Sequence, residues 1–135
     1  MNYLEGKDEM LAVFAAVWGT KKAIYPNVPD TIPTGNVLWA RVTVLTANGS
    51  QSSLAGDTGD TLFDNTGTLW IQVFAPVGDG DVAGLTAAQS VVDAYRKARG
   101  HVWYRNIRMN EMGADGAFTR FDVKADFQYT DVSTR

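Results

Sequence analysis

The chain contains no cysteine, and His101 is its single histidine in 135 residues. The first absence removes disulfides, thiolate zinc sites, iron–sulfur clusters and cysteine nucleophiles. The second removes the common metal sites built from several imidazoles. Missing cysteine also fits a reducing compartment, though by itself it decides little. No apolar run approaches the ~20 residues that cross a bilayer, so no membrane partner is expected. The opening Met1-Asn2-Tyr3-Leu4-Glu5-Gly6-Lys7-Asp8 has no basic stretch followed by an apolar one, which predicts no secretory leader. Positive charge is not in excess: 12 Lys and Arg stand against 15 Asp and Glu, a net charge of −3. A broad nucleic-acid or anionic-membrane surface is therefore not expected, although a local basic patch is still allowed.

What is present is ordinary globular usage, 45% hydrophobic and 20% charged, in a length that suits one domain spanning 1–135. Residues 7–19 predict a first helix, with Asp8 and Glu9 in its first turn and Gly19 to end it. Leu11, Phe14, Ala15 and Trp18 form one apolar stripe, and Met10, Val13 and Val17 form another. No polar residue interrupts Met10 to Trp18. A helix apolar all round is normally buried all round. One face can meet the core; the other asks for a neighbouring subunit or for cover from the chain's own arm or loop.

A strap with Pro26, Pro29 and Pro33 follows, anchored by Ile24, Tyr25, Val28 and Ile32. Residues 36–46 predict a strand with Leu38, Ala40, Val42 and Val44 on one side and Trp39, Arg41 and Thr43 on the other. Residues 47–67, rich in Gly, Ser, Asp, Asn and Thr, read as a long loop of the kind that is usually functional or disordered. A second strand, 68–75, places Leu69, Ile71, Val73 and Ala75 opposite Trp70, Gln72 and Phe74. A second helix, 81–99, buries Leu85, Ala88, Val91, Val92 and Tyr95. Strands 101–110 and 117–130 close the fold around a turn at 113–116. The expected class is α+β in the order αββαββ: a four-stranded antiparallel sheet with both helices on one face.

Little in this pattern carries chemistry. Nothing near any serine resembles a nucleophile elbow, and His101 reads as structural or interfacial. Asp57, Asp60 and Asp64 miss the alternate-ligand spacing and closing Glu of a calcium loop. Asp79 and Asp81 precede a helix and would repel a phosphate there, so capping is their expected role. No catalytic residue, metal or cofactor is expected. The notable constellation is aromatic: Trp39, Trp70 and Phe74 share the face away from the core stripes with Arg41. Trp103 could join them, although either face of its strand is possible. Large aromatics with Arg are enriched at protein interfaces. They could also stack single-stranded nucleic acid, against which Asp122 and Asp126 argue, or belong to the chain's own core.

The stretch Gly67-Thr68-Leu69-Trp70-Ile71-Gln72-Val73-Phe74-Ala75-Pro76-Val77-Gly78-Asp79-Gly80 resembles the G-x-L-x-[VI]-Q-[VI]-F-x-P-x-G-x-G segment of tail terminator-like proteins of long-tailed bacteriophages. Leu38-Trp39-Ala40-Arg41-Val42 upstream and Phe127-Gln128-Tyr129 downstream are similar to that family's W-x-R-x strand and closing V-x-F-x-Y, and the resemblance spans essentially the whole chain. One departure stands out. The family often carries a basic residue shortly before the glycine, where this chain has Phe63-Asp64-Asn65-Thr66, so any tube contact made by that charge must differ here.

The resemblance implies a virion protein of the tail neck, assembled in the host cytoplasm. It would form a ring, typically a hexamer, that caps the tail tube, stops its polymerisation and joins the head-completion or connector protein. Copies of itself, the tail tube protein and the connector are the implied partners. DNA would pass through the mildly acidic bore without specific binding. A closed ring needs two different patches meeting head to tail. Met10, Val13 and Val17 on the first helix and Trp39, Arg41, Trp70, Phe74 and Trp103 on the sheet are the candidate subunit contacts. Leu54, Asp57, Asp60, Leu62, Phe63 and Asp64 in the long loop are the candidate contacts to the tube or connector.

Overall fold

In the computed structural model, which describes residues 2–26, 37–54, 60–77 and 82–134, the first helix, α1, runs Tyr3–Trp18. It starts earlier than Asp8 and Glu9 suggest because Asn2 and Glu5 form a capping box. The Asn2 side chain accepts from the Glu5 amide at 2.9 Å, and the Glu5 carboxylate accepts from the Asn2 amide at 3.2 Å. The buried line is Gly6, Met10, Phe14 and Trp18, one residue per turn. Leu11, Val13 and Val17 flank it half-buried, while Ala12, Ala15 and Ala16 face outward. Thus the two expected stripes are recombined: Met10 and Phe14 belong to the same core line, and most of the helix's remaining apolar surface is alanine.

After α1 comes β1, Lys22–Ile24, which pairs in parallel with the start of β2, Trp39–Leu54. The Trp18 indole N–H donates to the Lys22 carbonyl at 3.0 Å and fixes β1 against the helix end. β2 and β3 (Asp60–Pro76) form a long antiparallel hairpin. α2, Val82–Lys97, then carries the chain over to β4, Trp103–Asp115, which turns through Gly116 and Ala117 into β5, Phe118–Thr134. β5 inserts between β3 and β4, giving the order β1-β2-β3-β5-β4.

This corrects the expected four-stranded antiparallel sheet. The sheet has five strands and one parallel pair. β1 escapes a sequence reading because three residues inside a proline-rich stretch carry no readable alternation. The strap residues Pro29, Pro33, Val28 and Ile32 lie outside the described residues, as do Asp79 and Asp81. The expected long loop 47–67 is corrected too: β2 continues to Leu54 and β3 begins at Asp60, so most of that segment is paired strand. Its polar residues read as loop, yet they form ladder on both sides of β3, interrupted only by register shifts at Thr46/Asn48 and Gln51/Ser53.

One face of the sheet carries Ala40, Val42, Leu69, Ile71, Val73, Phe121, Val123, Ala125 and Phe127, all buried beneath the two helices. The helices are tied by the buried Tyr95 hydroxyl, which donates to the Met10 carbonyl at 2.8 Å; burial pushes the acidity of that phenol well down, its pKa rising far above the ordinary value. The segment after α2 is held by Glu9. Its carboxylate accepts from the Val102 amide at 2.6 Å and from the His101 amide at 3.2 Å. Replacing Glu9 by Ala is expected to cost about 1–3 kcal/mol, because two amides lose a charged acceptor. Glu9→Gln, which keeps an acceptor oxygen, should cost less. Urea unfolding of the three proteins would check the order; equal midpoints would mean that this clamp does not contribute.

Candidate functional site: the outer face of the sheet

The sheet face away from the helices is built row by row by the strand register. Trp39, Phe74 and Arg120 make one row; Arg41, Gln72, Asp122 and Asn110 the next; Thr43, Trp70, Lys124 and Arg108 a third; Leu45, Thr68, Asp126 and Arg105 a fourth. Gln128 and Trp103 begin a fifth. Period-two alternation along each strand, with one bulge in β4 between Arg105 and Arg108, sends these side chains to the same side.

At one end of this face lies a small second core. Trp39 and Phe74 stack with ring centroids 4.1 Å apart and 8° between planes, and Phe118 meets both edge-on. Ile24 packs against the three. Trp39 is 2% exposed and Phe74 4%, so both are covered within the chain, as Met10 is on the other face. Arg41 lies over this stack, 5.7 Å from each ring. Arg120 and Asp122 form a largely buried ion pair at 3.1 Å beside it. Arg41, Gln72, Gly116 and Arg120 line a cavity of about 280 Å³ against the three rings.

The other end is open. Trp103 is 73% exposed and Leu45 51%. Lys124 sits over the half-buried Trp70 ring at 5.0 Å. Whether Trp103 shares this face is settled by Asn106, the single non-glycine residue with positive φ among the described residues (56°). Its left-handed backbone makes a bulge between Arg105 and Arg108, so both arginines point outward with Trp103 while Met109 turns inward opposite Val123. Strict alternation misses this and places Arg105 and Arg108 on opposite faces. An Asn in the middle of the strand is the available signal, since Asn tolerates that conformation better than most residues.

The same Asn106 sets the local electrostatics. Its amide donates to Asp126 at 3.1 Å, and Arg108 lies 3.5 Å from that carboxylate. The Asn106 hydrogen bond, more than Arg108 or the Thr68 hydroxyl, holds the Asp126 carboxyl below the usual range against an opposing desolvation. A depressed folded pKa gives stability that is present above the ordinary carboxylate value and is lost as pH falls through the lower folded one. Asn106→Gly keeps the backbone and removes the donor, so the NMR titration midpoint of Asp126 should rise toward the ordinary value. An unmoved midpoint would show that the donor is not the cause.

The remaining expected site residues are spread out. Val13 and Val17 line a groove of about 500 Å³ between α1 and α2, with Ala16, Ala94, Ala98 and Tyr104, and with Glu9, Lys97 and Arg99 at its borders. Phe63 and Asp64 are half-exposed on β3, and Asp64 accepts from the Thr130 hydroxyl at 3.0 Å. Leu54, Asp60 and Leu62 lie on the paired backbone of the same hairpin; Asp57 is outside the described residues. His101 is exposed beside Glu9, 3.3 Å away. Among the described residues no three His, Asp or Glu side chains come together as metal ligands, and no helix is long and apolar enough to cross a membrane.

No family model matches the chain, and no curated protein matches it. Among solved structures, one whose protein carries no functional description is similar to this chain over 96% of each chain, with a TM-score of 0.52 and 18% identity. That likeness shows the fold alone.

Proposed function

We propose that this chain is a structural virion protein that works by packing against copies of itself. It forms a ring, typically of six copies, that caps the tail tube of a long-tailed phage, ends tube polymerisation and supplies the joint to the head connector. The observation that carries the reading is the open end of the outer sheet face. A tryptophan that is 73% exposed, two residues from Arg105 on the edge strand and at the same end of the face as Arg108 and Lys124, is apolar and charged surface that a lone domain leaves uncovered. The sequence resemblance supplies the identity of the assembly. Its site is the tail neck of the virion, reached from the host cytoplasm, and DNA passes through the bore without sequence-specific contact.

The functional chemistry is association rather than catalysis. The buried and paired titratable groups, Glu9, Tyr95, Asp122 and Asp126, each hold a structural partner. The test is to add the purified protein to tails assembled without their terminator and to measure its mass by light scattering. A discrete ring that stops tubes from lengthening is expected. Long filaments of the protein alone would make it a tube subunit, and a strict monomer with no effect on tube length would overturn the reading.

A further inference from the structure

The stacked end of the outer face holds polar groups that the fold leaves without partners. The cavity of about 280 Å³ there is walled by Trp39, Phe74 and Phe118 and borders the exposed turn at 116–117. Arg41 and Gln72 also line it, and the register sets these two directly opposite each other, one row from Trp39 and Phe74. Arg41 is half-buried over the two stacked rings, yet among the described residues its guanidinium makes neither an ion pair nor a hydrogen bond. Gln72 is only 7% exposed, and its side-chain amide makes no hydrogen bond to any described residue. The Trp39 indole N–H is buried without an acceptor. Buried donors are normally satisfied, so three unsatisfied donor groups around one cavity ask for an acceptor that the chain itself does not supply.

We propose that this cavity binds a carboxylate group, held by the Arg41 guanidinium and the Gln72 amide, with the apolar body that carries it resting on the aromatic wall. A guanidinium offers planar, paired N–H donors that match the two oxygens of a carboxylate. Stacking on Trp39 and Phe74 already restricts Arg41, so little freedom is lost when it takes a ligand. Charge favours a monoanion. Asp122 is paired with Arg120, which leaves the Arg41 charge as the uncompensated one at the cavity. A carboxylate neutralises it; a phosphate dianion would overcompensate it beside the Asp122 carboxylate. A free organic acid and an acidic side chain of an adjoining copy present the same group, and the test separates them. The site lies within one copy, so the proposal does not depend on the ring.

The test titrates benzoate into the full chain while NMR follows the indole N–H signals of its four tryptophans. The Trp39 signal is expected to shift saturably, with a dissociation constant on the order of 1 mM, while the signal of the exposed Trp103 stays in place. Benzamide has the same shape without the charge and should bind about tenfold more weakly. Arg41→Gln should weaken benzoate binding by about tenfold, and Arg41→Lys, which keeps the charge but loses the fork, by less. Gln72→Leu guards against an Arg41 variant that does not fold. It removes a buried amide that has no partner, so the melting temperature should not fall, while benzoate binding should weaken about threefold. Light scattering with and without benzoate then identifies the source of the carboxylate. If benzoate lowers the mass of the assembled protein, the group that it displaces is an acidic side chain of an adjoining copy; if the mass is unchanged, the site takes a free acid. No saturable shift of the Trp39 signal would overturn the proposal. Equal binding of benzamide, or affinity unchanged by both Arg41→Gln and Gln72→Leu, would overturn it as well, whatever the fate of the ring.

Discussion

Trp39→Ala is expected to lower the folding stability by about 3–5 kcal/mol, the range for removing a fully buried large aromatic. The sequence pattern offers Trp39 as a subunit contact because it lies on the face away from the helices. The register confirms the face, but the ring is 2% exposed, stacked on Phe74 at 4.1 Å and closed over by Phe118 and Ile24. Deleting it leaves a cavity in a core of only a few residues and removes the surface on which Arg41 rests. Trp39→Phe keeps the stack and should cost much less, since the indole N–H has no hydrogen-bond partner to lose. Chemical denaturation separates the outcomes. A Trp39→Ala protein as stable as wild type but defective in assembly would return this residue to the interface.

Gly67→Ala is expected to be the second severe change, at about 2–3 kcal/mol and a melting temperature lower by roughly 10 °C. Gly67 sits in the middle of β3, with Thr46 opposite on β2 and Phe127 on β5. A Cβ there would strike the Leu45 carbonyl and come within 2.7 Å of the Phe127 ring. The carbonyl belongs to the neighbouring backbone and cannot swing aside, so the β2–β3 ladder must part where its register already shifts, between Thr46 and Asn48. Thermal unfolding would check this effect; an unchanged melting temperature would mean that the strands relax around the methyl group at little cost. Gly84 is a comparable site on α2, where a Cβ would strike the Phe121 ring, but an aromatic ring can shift more readily than a backbone carbonyl.

Elements with local periodicity are legible in the amino-acid order alone. β5 alternates from Thr119 to Tyr129, and the fold buries Phe121, Val123, Ala125, Phe127 and Tyr129 on the helix side. α2 shows the same directness, with Ala88, Val91, Val92 and Tyr95 buried and Arg96 and Lys97 in its last turn. The β3 residues Leu69 to Ala75 separate correctly into two faces. Three features are not legible. β1 is too short to show a pattern and exists only because β2 lies beside it. The outer parts of β2 and β3 are built of Asn, Ser, Thr and Asp, residues that local propensity assigns to loops and that become strands when β3 is flanked on both sides. The facing of Arg108 depends on the one left-handed residue at Asn106.

The candidate site divides along the same line. Sequence can place Trp39, Trp70 and Phe74 on one face of the sheet, because alternation is a property of neighbours along the chain. It cannot tell that Phe118 and Ile24, from strands distant in sequence, cover Trp39 and Phe74 and leave Trp103 in the open.

By itself the sequence determined that the chain has no thiol chemistry and no cluster of histidines. It also set two helices, the second of them amphipathic, and the alternating faces of β3 and β5, since composition and short-range period suffice for these. Tertiary structure alone decided the parallel edge strand, the position of β5 between β3 and β4, the extension of β2 and β3 into the expected loop and the division of aromatics between a closed stack and an exposed face. Each of those depends on which distant segment lies alongside, and burial is a relation between segments that no single stretch of chain encodes.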